Sequence, residues 1–178
     1  MELSALTVRD ARIEDAAALA KAEREIAKNP GFLASQPFEL TDERFAKKIA
    51  ELLRADNGKY FVAQEGDEIV GHAMLDPLAL SACRHVVHLT IVVHPGWQGK
   101  GVGKVLLGEL IRWAKTTTTV EKIELHVRSS NTAALELYKN FGFTEIGRWK
   151  RRVKVAPGQY LDDVAMELWI GQPADFLV

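Results

Sequence analysis

The chain has 178 residues, 47% of them hydrophobic and 26% charged, with a formal net charge of −1 at pH 7. That length supports one domain with a sizeable core and is short for two. Balanced charge gives no whole-molecule attraction to nucleic acid or an anionic membrane, and the single cysteine, Cys83, excludes an internal disulfide and a cysteine-based zinc site.

The opening stretch MELSALTVRDARIEDA meets charge early and lacks the apolar core of a signal peptide. No apolar run approaches the roughly 20 residues that span a bilayer, so a cytoplasmic protein is expected. No repeat, linker or composition break divides the chain, and residues 1–178 read as a single domain with its core over about 6–170. LTVR (6–9) predicts a short strand. IEDAAALAKAEREIA (13–27) is alanine-rich with a polar face and predicts a helix, which KNPGF (28–32) breaks. Thr41 can cap a second helix, DERFAKKIAELLRA, whose first turn carries Asp42 and Glu43. After Asn57-Gly58, KYFVAQEGDEIVGHAMLDPLAL reads as a hairpin turning at Glu65–Asp67. HVVHLTIVVH (85–94) is nearly continuous apolar strand, expected to be buried on both faces.

A glycine-rich loop and a helix follow, with Val102, Val105, Leu106, Leu110 and Trp113 along one stripe. The short run Thr116–Thr119 reads as that helix's frayed end and turn. KIELHVR (122–128) predicts a strand. Asn131 caps the helix TAALELYKNF, and Gly142 ends it. Two strands, about 143–155 and 160–170, close the chain. The cluster Lys150, Arg151, Arg152 and Lys154, with Asp162 and Asp163 soon after, reads as a solvated strand face. Strands and helices alternate in the middle and a hairpin ends the chain, which defines an α/β sheet of mixed direction.

Gly99, Gly101 and Gly103 alternate directly before a helix, so bare amides and a helix N-terminus converge on one spot suited to a pyrophosphate. The competing explanation is a tight strand–helix turn that needs glycine only for its own backbone. Three phosphate loops fail on spacing. A P-loop needs Ser or Thr after Gly103-Lys104, where Val105 stands. A dinucleotide loop has G-x-x-G in its second half, and a kinase loop lies in a hairpin.

Gln98-Gly99-Lys100-Gly101-Val102-Gly103 resembles the Q/R-x-x-G-x-G/A motif of the GCN5-related N-acetyltransferases. Val93-His94-Pro95 before it and SNTAALELYKNFGF (130–143) after it match that family's next elements in order, and the likeness runs from about residue 6 to 170. The chain is most similar to the bacterial amino-acid and ribosomal-protein-alanine branches, whose ending GQYLDDVAMELW (158–169) resembles. The resemblance implies a mixed, mostly antiparallel sheet of about seven strands with about four helices and a V-shaped splay between the central strands. It implies acetyl-CoA as co-substrate and no metal. Gln98, Gly99, Lys100, Gly101, Val102, Gly103 and Lys104 would hold the pyrophosphate. Ile91, Val92 and Val93 would hold the pantetheine arm and acetyl carbonyl, and Asn131 and Tyr138 would also touch the cofactor.

Acetyl transfer from a thioester requires a polarised carbonyl, a neutral amine, support for the oxyanion and a proton for the departing thiolate. Tyr138 matches the family's tyrosine acid, and a phenol with a pKa of about 10 suits that role; packing as a core aromatic is the competing explanation. For the base, the ribosomal-protein branch has glutamate where this chain reads Leu125-His126-Val127-Arg128. His126 is therefore the first candidate, His88 the second and His85 a third, each equally readable as a hydrogen-bonded structural histidine. An α-amine with a pKa of about 8 is roughly one-tenth neutral at pH 7 and needs little help, unlike a lysine amine.

The expected reaction is direct attack by a small amino-acid-like amine in a ternary complex. The segment NPGFLASQPFEL (29–40), Phe32 included, would cover the acceptor with apolar surface, and Arg128 or Arg148 would anchor its carboxylate. Two alternatives stay open: acetylation of a protein N-terminus or lysine, and a non-catalytic acetyl-CoA-binding module. No nucleic-acid or membrane partner is expected, and the resemblance leaves room for a homodimer.

Overall fold

These periodicities become seven strands and four α-helices in a computed structural model, which describes residues 6–117 and 119–170. Residues 1–5 and 171–178, the ends of the expected domain, and Thr118 of the expected turn lie outside the described residues. In chain order the elements are β1 (Thr7–Asp10), α1 (Ala16–Ala27), α2 (Asp42–Arg54), β2 (Lys59–Glu65), β3 (Glu68–Pro77), β4 (Val86–Val93), α3 (Val102–Thr116), β5 (Lys122–Arg128), α4 (Thr132–Asn140), β6 (Thr144–Ala156) and β7 (Gln159–Trp169). The strands form one sheet in the order β1-β2-β3-β4-β5-β7-β6. Every neighbouring pair is antiparallel except β4–β5.

Local chemistry sets the boundaries. The Thr41 hydroxyl accepts the Arg44 N–H at 3.2 Å and starts α2. The Asn131 side chain accepts the Ala134 N–H at 3.1 Å and starts α4, while Gly142, at φ +90°, turns the chain out of it. One face of the sheet carries α3, which lies across β1 to β4 and buries Val102, Leu106, Leu107, Leu110, Ile111 and Ala114. Val105 and Trp113, expected on that stripe, are half-buried at its margins. The sheet is wide enough to cover a second i, i+4 row, so Leu107 and Ile111 are buried. The opposite face carries α1 and α2, whose Leu19, Ala20, Phe45, Ile49 and Leu52 pack on Tyr60 and Val62.

β4 departs from its expected burial. Val86, Val87, Leu89 and Val92 are buried, but His88, Thr90, Ile91 and Val93 are only half-buried. The cause is the pairing with β5, which consists of Val86–Lys122, Val87–Ile123 and His88–Glu124 and then stops. Beyond that rung β4 stays with β3 up to Gly71–Val93, and β5 stays with β7 down to Arg128–Asp163. The two central strands therefore diverge into the expected V. At the sheet's far edge, β6 is interrupted by register shifts. Arg151 there sits at φ +54°, its N–H donating to the Asp162 carboxylate at 2.7 Å. Among the described residues no helix is long and apolar enough to cross a membrane.

Candidate active site

The opening between β4 and β5 is the centre of the site. From Leu89 to Val93 the β4 edge that faced β5 has no strand partner, so its backbone groups, apart from the Val93 carbonyl, lie open to a ligand. A Cβ placed on Gly103 would lie 3.4 Å from the Leu137 side chain and 3.6 Å from that of Val93. The first turn of α3, the middle of α4 and the end of β4 therefore meet at this opening.

The loop above it is built from backbone that side chains rarely permit. Gly99 and Gly101 have φ of +75° and +84°, and a Cβ on either would meet nothing within 4 Å. Glycine is thus required by conformation, and the space over the loop is clear. Gly101 is the N-cap of α3 and offers no side-chain acceptor. The amides of Val102, Gly103 and Lys104 are left without helical partners and point out with the positive end of the helix dipole. The Gln98 side chain donates to the Val93 carbonyl at 3.2 Å and ties the loop to β4. Lys100 lies 4.5 Å over the Trp97 ring, and both Lys100 and Lys104 are exposed. Open amides, a helix start and two exposed cations fit a pyrophosphate-bearing ligand.

Tyr138, on α4, is buried with its ring 5.6 Å from that of Phe143. Burial pushes its hydroxyl up to about 12, so the phenol keeps its proton at neutral pH. His88 and His126 stand beside the last β4–β5 rung, with His88 Nε2 3.2 Å from His126 Nδ1 and the His126 ring 4.2 Å from that of Trp149. Burial holds both below the ordinary histidine value. His85 lies just before β4, its carbonyl accepting the N–H groups of Glu121 and Lys122. Phe32, Arg128 and Asn131 share the lining of a cavity of about 440 Å³. Arg128 is engaged there by Asp163, both nearly buried. Arg148, exposed on β6, pairs with Glu145 and does not join them.

A second cavity, of about 310 Å³, lies on the α1/α2 face; it joins Val92, and Leu33 and Leu40 of the expected covering segment, with Glu23, Arg44, Lys48, Tyr60 and His72, which the sequence did not single out. Leu33, Leu40, Phe45, Met74 and Val92 supply apolar wall, and Glu23, His72, Tyr60, Thr90, Arg44 and Lys48 supply polar groups. His72 is almost fully buried, with Nε2 2.9 Å from Glu23 Oε1 and Nδ1 3.1 Å from His94 Nε2. His94 Nδ1 lies 2.8 Å from the Ile69 carbonyl. Burial, with His72 beside it, holds His94 down to about 4. Lys48 is occupied by Asp76 at 2.9 Å and Glu51 at 3.1 Å. The Arg44 guanidinium donates to the Glu39 carbonyl at 3.1 Å and has no acid partner among the described residues. The sequence did hold a signal for this cluster: Glu23 continues the buried α1 stripe of Ala16, Leu19 and Ala20 at helical spacing. A carboxylate on an apolar stripe asks for a buried partner. Among the described residues no group of three or more His, Cys, Asp or Glu could hold a metal ion.

Comparison with known proteins agrees with this architecture. Residues 20–143 match the profile of the Acetyltransferase (GNAT) family. The chain belongs to that family. It is 35% identical to the N-alpha-acetyltransferase RimI of Mycobacterium tuberculosis, over 58% of this chain and 63% of the relative. It is 32% identical to the L-amino acid N-acetyltransferase AaaT of Escherichia coli, over 58% of this chain and 64% of the relative. The matches thus span under two thirds of each curated relative's length. A GNAT acetyltransferase structure from Streptococcus pneumoniae superimposes with a TM-score of 0.86 at 26% identity, covering 94% of this chain and all of that one.

The burial of Arg128 against Asp163 sets a structural expectation. Arg128→Ala leaves a carboxylate buried without its counter-charge and should lower unfolding stability by about 3 kcal/mol. Urea denaturation without any ligand measures this, and an unchanged midpoint would show that the pair does not hold the fold.

Proposed function

We propose that this chain transfers the acetyl group of acetyl-CoA to the α-amine of a small amino acid with an apolar side chain. One observation carries the reading: Thr90 and Val92 belong both to the unpaired stretch of β4 and to the lining of the 310 Å³ cavity. An acceptor seated in that cavity therefore lies against the strand whose free edge borders the opening. The family membership, the glycine loop and the likeness to amino-acid acetyltransferases support the same reaction.

Acetyl-CoA supplies the activated acyl group as a thioester. The amides from Gly99 to Lys104 and the dipole of α3 would bind its pyrophosphate, with Lys100 and Lys104 adding charge. The unpaired β4 edge at Ile91–Val93 would bind the extended arm by strand-like hydrogen bonds. Tyr138, kept protonated by burial, would give its proton to the departing sulfur. On the acceptor side, Arg44 would bind the carboxylate, while Leu33, Phe45 and Met74 receive the side chain. Arg44 takes the anchoring role because Arg128 is already spent on Asp163 and Arg148 lies on the far hairpin.

The likeness to RimI favours a second reading, a peptide N-terminus as acceptor, and one screen separates the two. Thiol release measured with free amino acids and short peptides should give higher kcat/KM for apolar amino acids; much faster peptide turnover would favour the second reading. Arg44→Ala should raise KM for the amino acid roughly 10–100-fold, as expected for loss of a charge-assisted bond. It should leave the matching amine without a carboxylate unaffected. Gly101→Val should weaken coenzyme A binding at least about tenfold, through lost backbone approach and forced φ. Calorimetric titration measures this, with a melting curve to confirm folding. Tyr138→Phe should lower kcat by roughly 10–10⁴-fold with coenzyme A affinity unchanged, and an undiminished kcat would return Tyr138 to a packing role.

A further inference from the structure

Three contacts join Glu23, His72, His94 and the Ile69 carbonyl in one line, and each contact needs one hydrogen. The Ile69 carbonyl can only accept, so His94 Nδ1 carries a hydrogen and, in the neutral ring, Nε2 presents a lone pair to His72. Two neutral imidazoles supply two hydrogens for three contacts. With Glu23 ionised, one contact is therefore always short of a hydrogen. If His72 donates to Glu23, two ring lone pairs face each other at 3.1 Å. If His72 donates to His94, a lone pair faces the carboxylate at 2.9 Å. One added proton satisfies all three contacts.

From this deficit we infer that Glu23, backed by His72 and His94, is the proton acceptor that converts the bound ammonium of the substrate to a free amine. The inference rests on the reading of the chain as an N-acetyltransferase. The N–H bond of the ammonium breaks, and its proton passes to the Glu23 carboxylate and is shared with His72. The cluster changes from a net charge of −1 to zero, and the amine keeps its electron pair for attack. The proton leaves to water once product has left the cavity. Glu23 lines the acceptor cavity and is the group that meets the amine; His72 and His94 are positioning residues behind it.

The surroundings suit the task. Phe45 and Tyr60 place their rings 6.1 and 5.9 Å from that of His72, which keeps water away from the line of contacts. The charged and titratable groups facing the cluster are Tyr60 from β2, Arg44 and Lys48 from α2, and Asp15 at the start of α1, itself held by Arg9. Burial, with Glu23 and Asp15 adding negative charge, raises the Tyr60 hydroxyl far above its ordinary range, so it stays neutral. The depressed affinity of His94 for a proton keeps the added charge on the Glu23–His72 side.

The test is the pH dependence of acetylation by the full chain, with the best amino acid from the screen as substrate. Glu23→Gln keeps shape and a hydrogen-bond acceptor but cannot take a proton. It should lower kcat/KM about tenfold at pH 7, where roughly one-tenth of an α-amine is neutral, and come within about threefold of wild type at pH 9. Glu23→Asp should recover part of the loss at pH 7. His94→Gln removes the lone-pair conflict that drives proton uptake, and should move the acidic limb of the kcat profile to lower pH. A Glu23→Gln deficit that is absent or equal at every pH overturns the assignment, as does an unmoved limb in His94→Gln. A pH-dependent loss that follows His126→Gln instead of Glu23→Gln also overturns it. A wild-type chain that acetylates no amine but binds coenzyme A would sink the proposed reaction itself, a result distinct from these.

Discussion

The separation of β4 from β5 is the constraint on which the rest of the site depends. A parallel pair that stops after His88–Glu124 leaves two inner edges without strand partners, a costly arrangement unless something else holds each strand. Here both are held from outside. β4 is laddered to β3 along its whole far half, and β5 to β7 from Lys122 to Arg128. The wedge therefore stays open as part of the fold, with α3 and α4 meeting at its mouth through Gly103, Leu137 and Val93.

The period of two along β4 then divides the labour. Val87, Leu89, Ile91 and Val93 face the α3 side and join its core, while Thr90 and Val92 face the cavity under α1 and α2. One strand thus serves as a common wall, with the glycine loop leaving its end and the cavity under α1 and α2 lying against its other face. Placing two histidines and a carboxylate under α1 would be destabilising if their polar atoms were unmatched. Their mutual contacts offset part of that cost and also fix the geometry at the cavity wall.

Much of this was legible in the sequence because it is local. Thr41 and Asn131 mark helix starts by the bonds their side chains make, Gly66 and Asp67 mark a hairpin, and the alternating glycines mark a loop with left-handed backbone. What sequence could not give is non-local. The splay is an absence of pairing between strands separated by a whole helix, and apolar residues read the same whether a partner lies beside them or not. That is why β4 was expected to be buried on both faces. His72 and His94 stand 22 residues apart, and Glu23 lies 49 residues before His72. Only the β3–β4 register and the seat of α1 bring them together. His126 stands where the family pattern has glutamate, and the structure sets it beside His88 and Trp149. Arg128 is paired with Asp163, 35 residues away in sequence, only through the β5–β7 ladder.

The outermost strand has a consequence for how copies of this chain behave in a crowded solution. A seven-stranded open sheet ends in two rows of unpaired backbone groups, which can template the addition of another molecule's strand. At one end β1 is only four residues long and gives little to grip. At the other, β6 is long enough to recruit a partner, yet its ladder is broken around the left-handed Arg151, and Lys150, Arg151, Arg152 and Lys154 crowd the break. A strand approaching that edge would meet a kinked backbone and a cluster of like charges. The basic stretch is then best understood as a guard against fibrous association, and its irregular register as the part that keeps the guard in place.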